Sequence, residues 1–423
     1  MLLILPVFLR AQNLVIEPDR ESAIYQCGEK ATVTVSFTEE NGNKITDGTL
    51  LVTLATAQEV VTNVTVDLAK TNPVVLKTTL SKPDVLSCKA RTTYKERAFA
   101  QACGIAFSPM SIKTASKIPD DFDEFWKNAQ ERLEKEVPLD AQMELSERYS
   151  GKRIKSYKVS FATANGQRVA GFLAVPVGDG PWPVVVTVPG AGPGACRPML
   201  ELSDKGFITM VMNVHLFDTA EEGNLQMQAF EQSNREICAK YGVPYYSHAG
   251  ITNREDYFYY APILGINRAV NWLAQRSDVD KKRFYYQGFS QGGAFGFYLL
   301  GLNSNFTRGV IHMPALSDLM GSEAGRASGW PGIRLQKYAA DDKVKVVTNI
   351  PYFYAAVFAS RVKVPVRVSV GLIDGTCPPA SVYAAYNELR VTDKDIVTKP
   401  YLGHSLTPDL SQQLHENWLY KTE

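Results

Sequence analysis

The chain has 423 residues, 45% of them hydrophobic and 21% charged, which is enough to bury a sizeable core and too apolar for wholesale disorder. Its 45 basic and 44 acidic side chains leave a net charge of +1, without the basic excess of a nucleic-acid binder. Beyond the N-terminus no stretch reaches the roughly 18 apolar residues of a membrane span, and the length leads us to expect two or three domains.

Residues 2–9 are apolar and lead into Arg10, Ala11 and Gln12. The run is too short to cross a bilayer and fits the core of a secretory signal cut after Ala11. Residues 1–11 are therefore read as a signal remnant and the protein as secreted or periplasmic, with a buried first strand as the alternative. Residues 12–112 have the grammar of strands. Thr32 to Thr38 alternate, so Val33, Val35 and Phe37 face a core while the threonines and Ser36 face water. The turn residues Glu40-Asn41-Gly42-Asn43 follow, then strand candidates at 49–56, 60–68, 74–80 and 104–107. Short strands between turn signals predict a small β-sandwich of immunoglobulin-like size. The six cysteines show no CxxC spacing. One disulfide among Cys27, Cys88 and Cys103 suits an oxidising compartment, and free buried thiols are the other reading.

The grammar changes over residues 113–423. Asp120, Asp121, Asp123 and Glu124 suit the start of a helix whose face carries Phe122, Phe125, Trp126, Ala129 and Leu133. Continuous apolar runs at 184–188 and 208–214 predict strands covered on both faces. Further strands are expected at 284–287, 309–312, 364–370 and 396–400, and helices at 262–274, 294–302, 380–389 and 409–419. This alternation predicts an α/β fold with a mainly parallel sheet.

The chemistry-bearing motif is Gly288-Phe289-Ser290-Gln291-Gly292, set between a strand and a helix. In that context G-x-S-x-G is a nucleophile elbow that lifts Ser290 above the sheet edge and turns the N–H of Gln291 toward the oxyanion. A serine hydroxyl needs a base, and the base needs a carboxylate to orient it. In α/β-hydrolases these follow in the order Ser, acid, His. His404 sits in a loop after the strand at 396–400 and is taken as the base. His312 follows Ser290 too soon at a buried strand end, and His415 is expected on the surface of the terminal helix. Asp374, just after the strand at 364–370, is taken as the acid over Asp318, and over Asp393 and Asp395, which look like surface charges. The second oxyanion donor belongs in the turn Pro189-Gly190-Ala191-Gly192-Pro193-Gly194, where Ala191 can present its N–H; a plain flexible turn is the alternative.

From Ile118 onward the chain resembles the acetyl xylan esterase and cephalosporin-C deacetylase family. The resemblance lies in Asp121-Phe122-Asp123-Glu124-Phe125-Trp126, in Gly288-Phe289-Ser290-Gln291-Gly292-Gly293, and in Gly371-Leu372-Ile373-Asp374 with Cys377-Pro378-Pro379 and Ala384-Ala385-Tyr386-Asn387. It implies an α/β-hydrolase fold with Ser290 as nucleophile, Asp374 as acid and His404 as base, acting without metal or organic cofactor on an acetylated oligo- or polysaccharide. Two positions depart from the family. Pro189-Gly190-Ala191 stands where the family has His-Gly-Tyr, so Ala191 inherits a backbone donor role without the tyrosine ring. His215-Leu216-Phe217 stands where the family has Arg-Gly-Gln, which bears on substrate range and on the homo-oligomeric ring the family forms. His215 is expected to be packed or satisfied rather than to line the pocket. The function expected is removal of acetyl groups from xylan or xylo-oligosaccharides. The rival readings are a hydrolase of another acyl ester or peptide, and a carbohydrate-binding or surface protein with a vestigial esterase domain. For the β-domain a structural spacer is the expectation, since it shows no aromatic stripe.

Overall fold

Along Ala31–Glu39 the buried and partly exposed positions alternate, with Val33, Val35 and Phe37 inward as the sequence predicts. The structure, a computed structural model, describes residues 12–192, 196–217 and 219–421. The expected signal remnant, residues 1–11, lies outside the described residues.

The N-terminal region consists of two sheets. A three-stranded sheet runs in the order Gln12–Pro18, Ala31–Glu39, Val74–Thr78. A five-stranded sheet runs Ile24–Tyr25, Arg97–Phe107, Asp84–Tyr94, Thr49–Ala55, Val60–Asp67. Ile16, Val35 and Phe37 from one sheet and Leu50, Val52, Leu86 and Ile105 from the other share a core, which is the expected sandwich. Of the hairpin Asp84–Tyr94 and Arg97–Phe107 the sequence predicts only residues 104–107. Its inward positions include Cys88, Ala90, Thr92 and Cys103, small or polar groups that give a faint hydrophobic alternation. Cys88 and Cys103 stand opposite each other in this hairpin, and all six cysteines are free thiols. The thiol of Cys103 is pushed up, first by its hydrogen bond with Cys88 and then by burial.

The helix Phe122–Glu136 buries Phe122, Trp126, Ala129 and Leu133, and the Trp126 indole donates to the Tyr352 carbonyl at 3.1 Å. Beyond it lies a nine-stranded sheet in the order Lys394–Lys399, Val366–Gly371, Arg308–His312, Val279–Phe289, Trp182–Val188, Ile208–Met212, Arg168–Pro176, Ile154–Ala162, Gln142–Leu145. The first six of these pair in parallel and the rest antiparallel. This is the α/β-hydrolase architecture. Parallel strands end at one edge, so Val279–Phe289, Val366–Gly371 and Lys394–Lys399 deliver their following loops to the same place. Among the described residues no helix is long and apolar enough to cross a membrane.

The terminal segment corrects one expectation. It folds as a short α-helical turn, Pro408–Ser411, that continues as a π-helix over Gln412–Leu419. His415 is buried in it, not on the surface, with its Nε2 2.9 Å from Nε2 of His312. Gln412, Gln413, Glu416 and Asn417 make the local pattern read as a solvated face. Leu410, Leu414 and Leu419 nevertheless seat the segment on the sheet.

Candidate active site

The elbow is built by close backbone passage. A Cβ on Gly292 would stand 1.9 Å from the Val188 carbonyl oxygen, and one on Gly288 would stand 2.3 Å from that of Gly292. Only glycine fits at either position, and Ser290 between them is held at φ 60°, ψ −120°. Three backbone bonds fix it there. Its N–H donates to the His312 carbonyl at 3.0 Å, and its own carbonyl accepts from Ala294 at 3.0 Å and Ala315 at 2.9 Å. The helix Gln291–Leu302 starts immediately, so the N–H of Gln291 is among the amides a helix leaves without an internal acceptor.

Nε2 of His404 lies 2.9 Å from Oγ of Ser290, and Nδ1 of His404 lies 2.7 Å from Oδ2 of Asp374. The other carboxylate oxygen of Asp374 accepts from the N–H groups of Thr376 at 2.8 Å and Cys377 at 2.9 Å. These bonds hold the carboxylate in one orientation. Ser290 and Asp374 are buried, while the His404 imidazole keeps 19% exposure and rests against the Phe289 ring. A nucleophile, a base and an orienting acid in this chain can carry acyl transfer.

Asp318 does not join this chain. It accepts from the Ala115 N–H at 3.0 Å and from Arg326 at 2.9 Å, and burial raises its pKa. Asp393 is exposed and pairs with Arg367, and Asp395 is exposed as well. His312 donates or accepts through Nδ1 with Ser369 Oγ at 2.8 Å, away from the Ser290 hydroxyl. The turn that holds Ala191 borders Ser290: a Cβ on neighbouring Gly190 would stand 3.8 Å from that of Ser290. Pro193 and Gly194 of the same turn lie outside the described residues.

His215 is packed, as expected. The rings of Phe217, Phe230, Tyr246 and Phe258 surround it, and burial lowers its pKa to about 4. Its Nε2 has no hydrogen-bond partner among the described residues. The reading from sequence missed two other groups. Tyr246 and Tyr259 both donate to Oε1 of Gln291, at 2.8 and 2.9 Å. The run Tyr257-Phe258-Tyr259-Tyr260 is visible in the sequence, but its partner is not.

A family model described as acetyl xylan esterase (AXE1) matches residues 110–422. The chain belongs to the acetyl xylan esterase family. The acetyl esterase Axe7A of Xylanibacter ruminicola is 28% identical over 390 residues, covering 90% of this chain and 84% of that protein. That span exceeds the hydrolase region, so it includes part of the sandwich. The structure of an acetyl xylan esterase from Paenibacillus sp. R4 is similar with a TM-score of 0.61 and 26% identity, covering 73% of this chain and 97% of that one. Acetyl xylan esterase 1 from Thermoanaerobacterium sp. JW/SL YS485 shares the fold with a TM-score of 0.60 at 21% identity, covering 74% of this chain and 98% of that one. As a member of the acetyl xylan esterase family, the protein is a carboxylic ester hydrolase.

Proposed function

We propose that this esterase removes acetyl groups from xylan or xylo-oligosaccharides through an acetyl-enzyme formed on Ser290. The observation that carries the reading is the hydrogen-bonded chain Asp374–His404–Ser290, at 2.7 and 2.9 Å, on a strained elbow. His404 Nε2 takes the Ser290 proton as Oγ attacks the acetyl carbonyl. Asp374 fixes the tautomer by accepting from Nδ1 and stabilises the imidazolium that forms. The N–H groups of Gln291 and Ala191 hold the oxyanion, each worth about 3 kcal/mol by analogy with a well-placed donor. The tetrahedral intermediate collapses, the sugar alkoxide leaves with the proton from His404, and Ser290 keeps the acetyl group. Water then attacks the acetyl-enzyme with His404 again as base, releasing acetate and restoring the serine. Every proton in the cycle moves through one imidazole, so the reaction needs no further cofactor. The apolar run at residues 2–9 supports export to where such polymers occur.

A fluorophosphonate probe tests the assignment of the nucleophile. Labelling is expected on the Ser290 peptide alone and is expected to vanish in Ser290→Ala; a label on another residue, or one retained in that variant, would overturn it.

A further inference from the structure

The sandwich meets the hydrolase at the two loops that carry Asp374 and His404. Gly104, in strand Arg97–Phe107, donates its N–H to the Pro400 carbonyl at 2.8 Å, just upstream of His404. A Cβ at Gly104 would stand 2.3 Å from Cβ of Leu372 and 2.4 Å from its carbonyl oxygen, just upstream of Asp374. One residue of the sandwich therefore touches both loops, and its surroundings leave no room for a methyl group.

The two loops are also tied to each other. The N–H of Leu372 donates to the Lys399 carbonyl at 3.0 Å and that of Ile373 to the Leu402 carbonyl at 3.2 Å. A Cβ on Gly371 would stand 2.3 Å from the Leu402 carbonyl oxygen. The strand that leads to His404, Lys394–Lys399, is the edge strand of the nine-stranded sheet. It has one neighbour within the sheet, and none of its residues is fully buried. The base loop is thus the least enclosed of the three, and Gly104 reaches it from outside the sheet.

The contact is part of the hydrolase core and not a loose docking. Ala23, Val85 and Ala106 of the sandwich pack in the same cluster as Leu372, Cys377 and Ala384, apart from the sandwich's own core. The chain leaving the sandwich is held by Asn387, whose side-chain amide donates to the carbonyls of Pro109 at 2.9 Å and Ile112 at 2.8 Å. Apolar burial at this seam favours the packed arrangement of the sandwich against the two loops.

We propose that the N-terminal sandwich clamps the acid and base loops, with Gly104 as the positioning residue that sets Asp374 and His404 relative to Ser290. The proposal rests on the assignment of those three residues above. It replaces the expectation of a structural spacer. A displacement of about 1 Å in a reacting group costs on the order of a hundredfold in rate, so a seam that excludes a methyl group has leverage on kcat.

The test uses the full chain in two variants. Gly104→Ala inserts a methyl group at the seam. Val52→Ala thins the sandwich's own core, where Val52 is fully buried. Melting curves establish a temperature at which both are folded, and kcat and KM for 4-nitrophenyl acetate are measured there. Gly104→Ala is expected to lose about ten- to hundredfold in kcat with KM within about twofold. Val52→Ala is expected to melt earlier and keep its kcat. A folded Gly104→Ala with wild-type kcat would overturn the clamp, and so would an equal kcat loss in Val52→Ala. Should Gly104→Ala fail to fold, Val85→Ala thins the same seam without a clash and is read in the same two ways. Failure of the triad assignment is distinguishable, because activity would then survive Ser290→Ala.

Discussion

The Tyr246 hydroxyl donates to Oε1 of Gln291 at 2.8 Å, and so fixes the side chain of the residue that follows Ser290. Tyr259 makes the same contact at 2.9 Å, so one amide oxygen is held by two phenols. Burial pushes both phenols well above their ordinary value, which keeps them as donors at any working pH. Replacing either with Phe leaves the amide oxygen one partner and should cost about 1 kcal/mol of stability. The double variant leaves that buried oxygen unpaired, with an expected loss of about 2–3 kcal/mol and on the order of tenfold in kcat/KM. Melting curves and kcat/KM on 4-nitrophenyl acetate check this; a double variant with both unchanged would contradict it.

Ser290 stores strain. Its φ of 60° with ψ −120° suits glycine, and an L residue held there costs on the order of 1–3 kcal/mol. Glycine gives back up to about 1 kcal/mol through the greater freedom of the unfolded chain. Ser290→Gly and Ser290→Ala should both abolish hydrolysis and both lose the bond to His404, and the Gly variant should be about 1 kcal/mol more stable than the Ala variant. Urea unfolding of the two variants reads the difference, and a Gly variant no more stable than the Ala variant would argue against stored strain at the elbow.

Acid should loosen the C-terminal segment. His312 and His415 share a hydrogen bond at 2.9 Å, with Ser369 and Ser411 on their outer nitrogens and Tyr420 and Glu416 beside His415. Burial lowers the pKa of His312 to about 3 and of His415 to about 4, against an ordinary 6.5. Both are neutral in the fold and take up protons on unfolding as the pH falls below 6.5. Their contribution to stability is whole above 6.5 and is lost as the pH drops toward the folded values, at up to about 1.4 kcal/mol per pH unit for each group. His415→Gln should flatten this slope between pH values of about 4 and 6.5. Urea unfolding across that range measures it, and an unchanged slope would show that the pair does not titrate as described.

The sequence carried the elbow and its partners because the signals were local or ordered along the chain. Gly288, Ser290 and Gly292 are read within one turn, and Asp374 and His404 each follow a strand in the expected order. The alternation at Val33, Val35 and Phe37 was legible because large apolar groups mark it. Cys88, Ala90 and Thr92 mark theirs weakly, so only residues 104–107 of that hairpin were legible. His415 was misread for a different reason: Leu410, Leu414 and Leu419 seat its segment on the sheet, and its partner His312 is remote in sequence. The same holds for Tyr246 and Tyr259 against Gln291, and for Gly104 against Leu372 and Pro400. In each case a small or polar residue acts through a tertiary partner that leaves no periodic trace.

The most direct test of the central claim is acetate release from acetylated xylo-oligosaccharides, measured beside hydrolysis of 4-nitrophenyl acetate, butyrate and octanoate, for the wild type and Ser290→Ala. The account predicts preference for the acetyl ester and release of acetate from the sugar, both lost in the variant. Preference for the longer esters without sugar deacetylation, or acetate release that survives in Ser290→Ala, would contradict it.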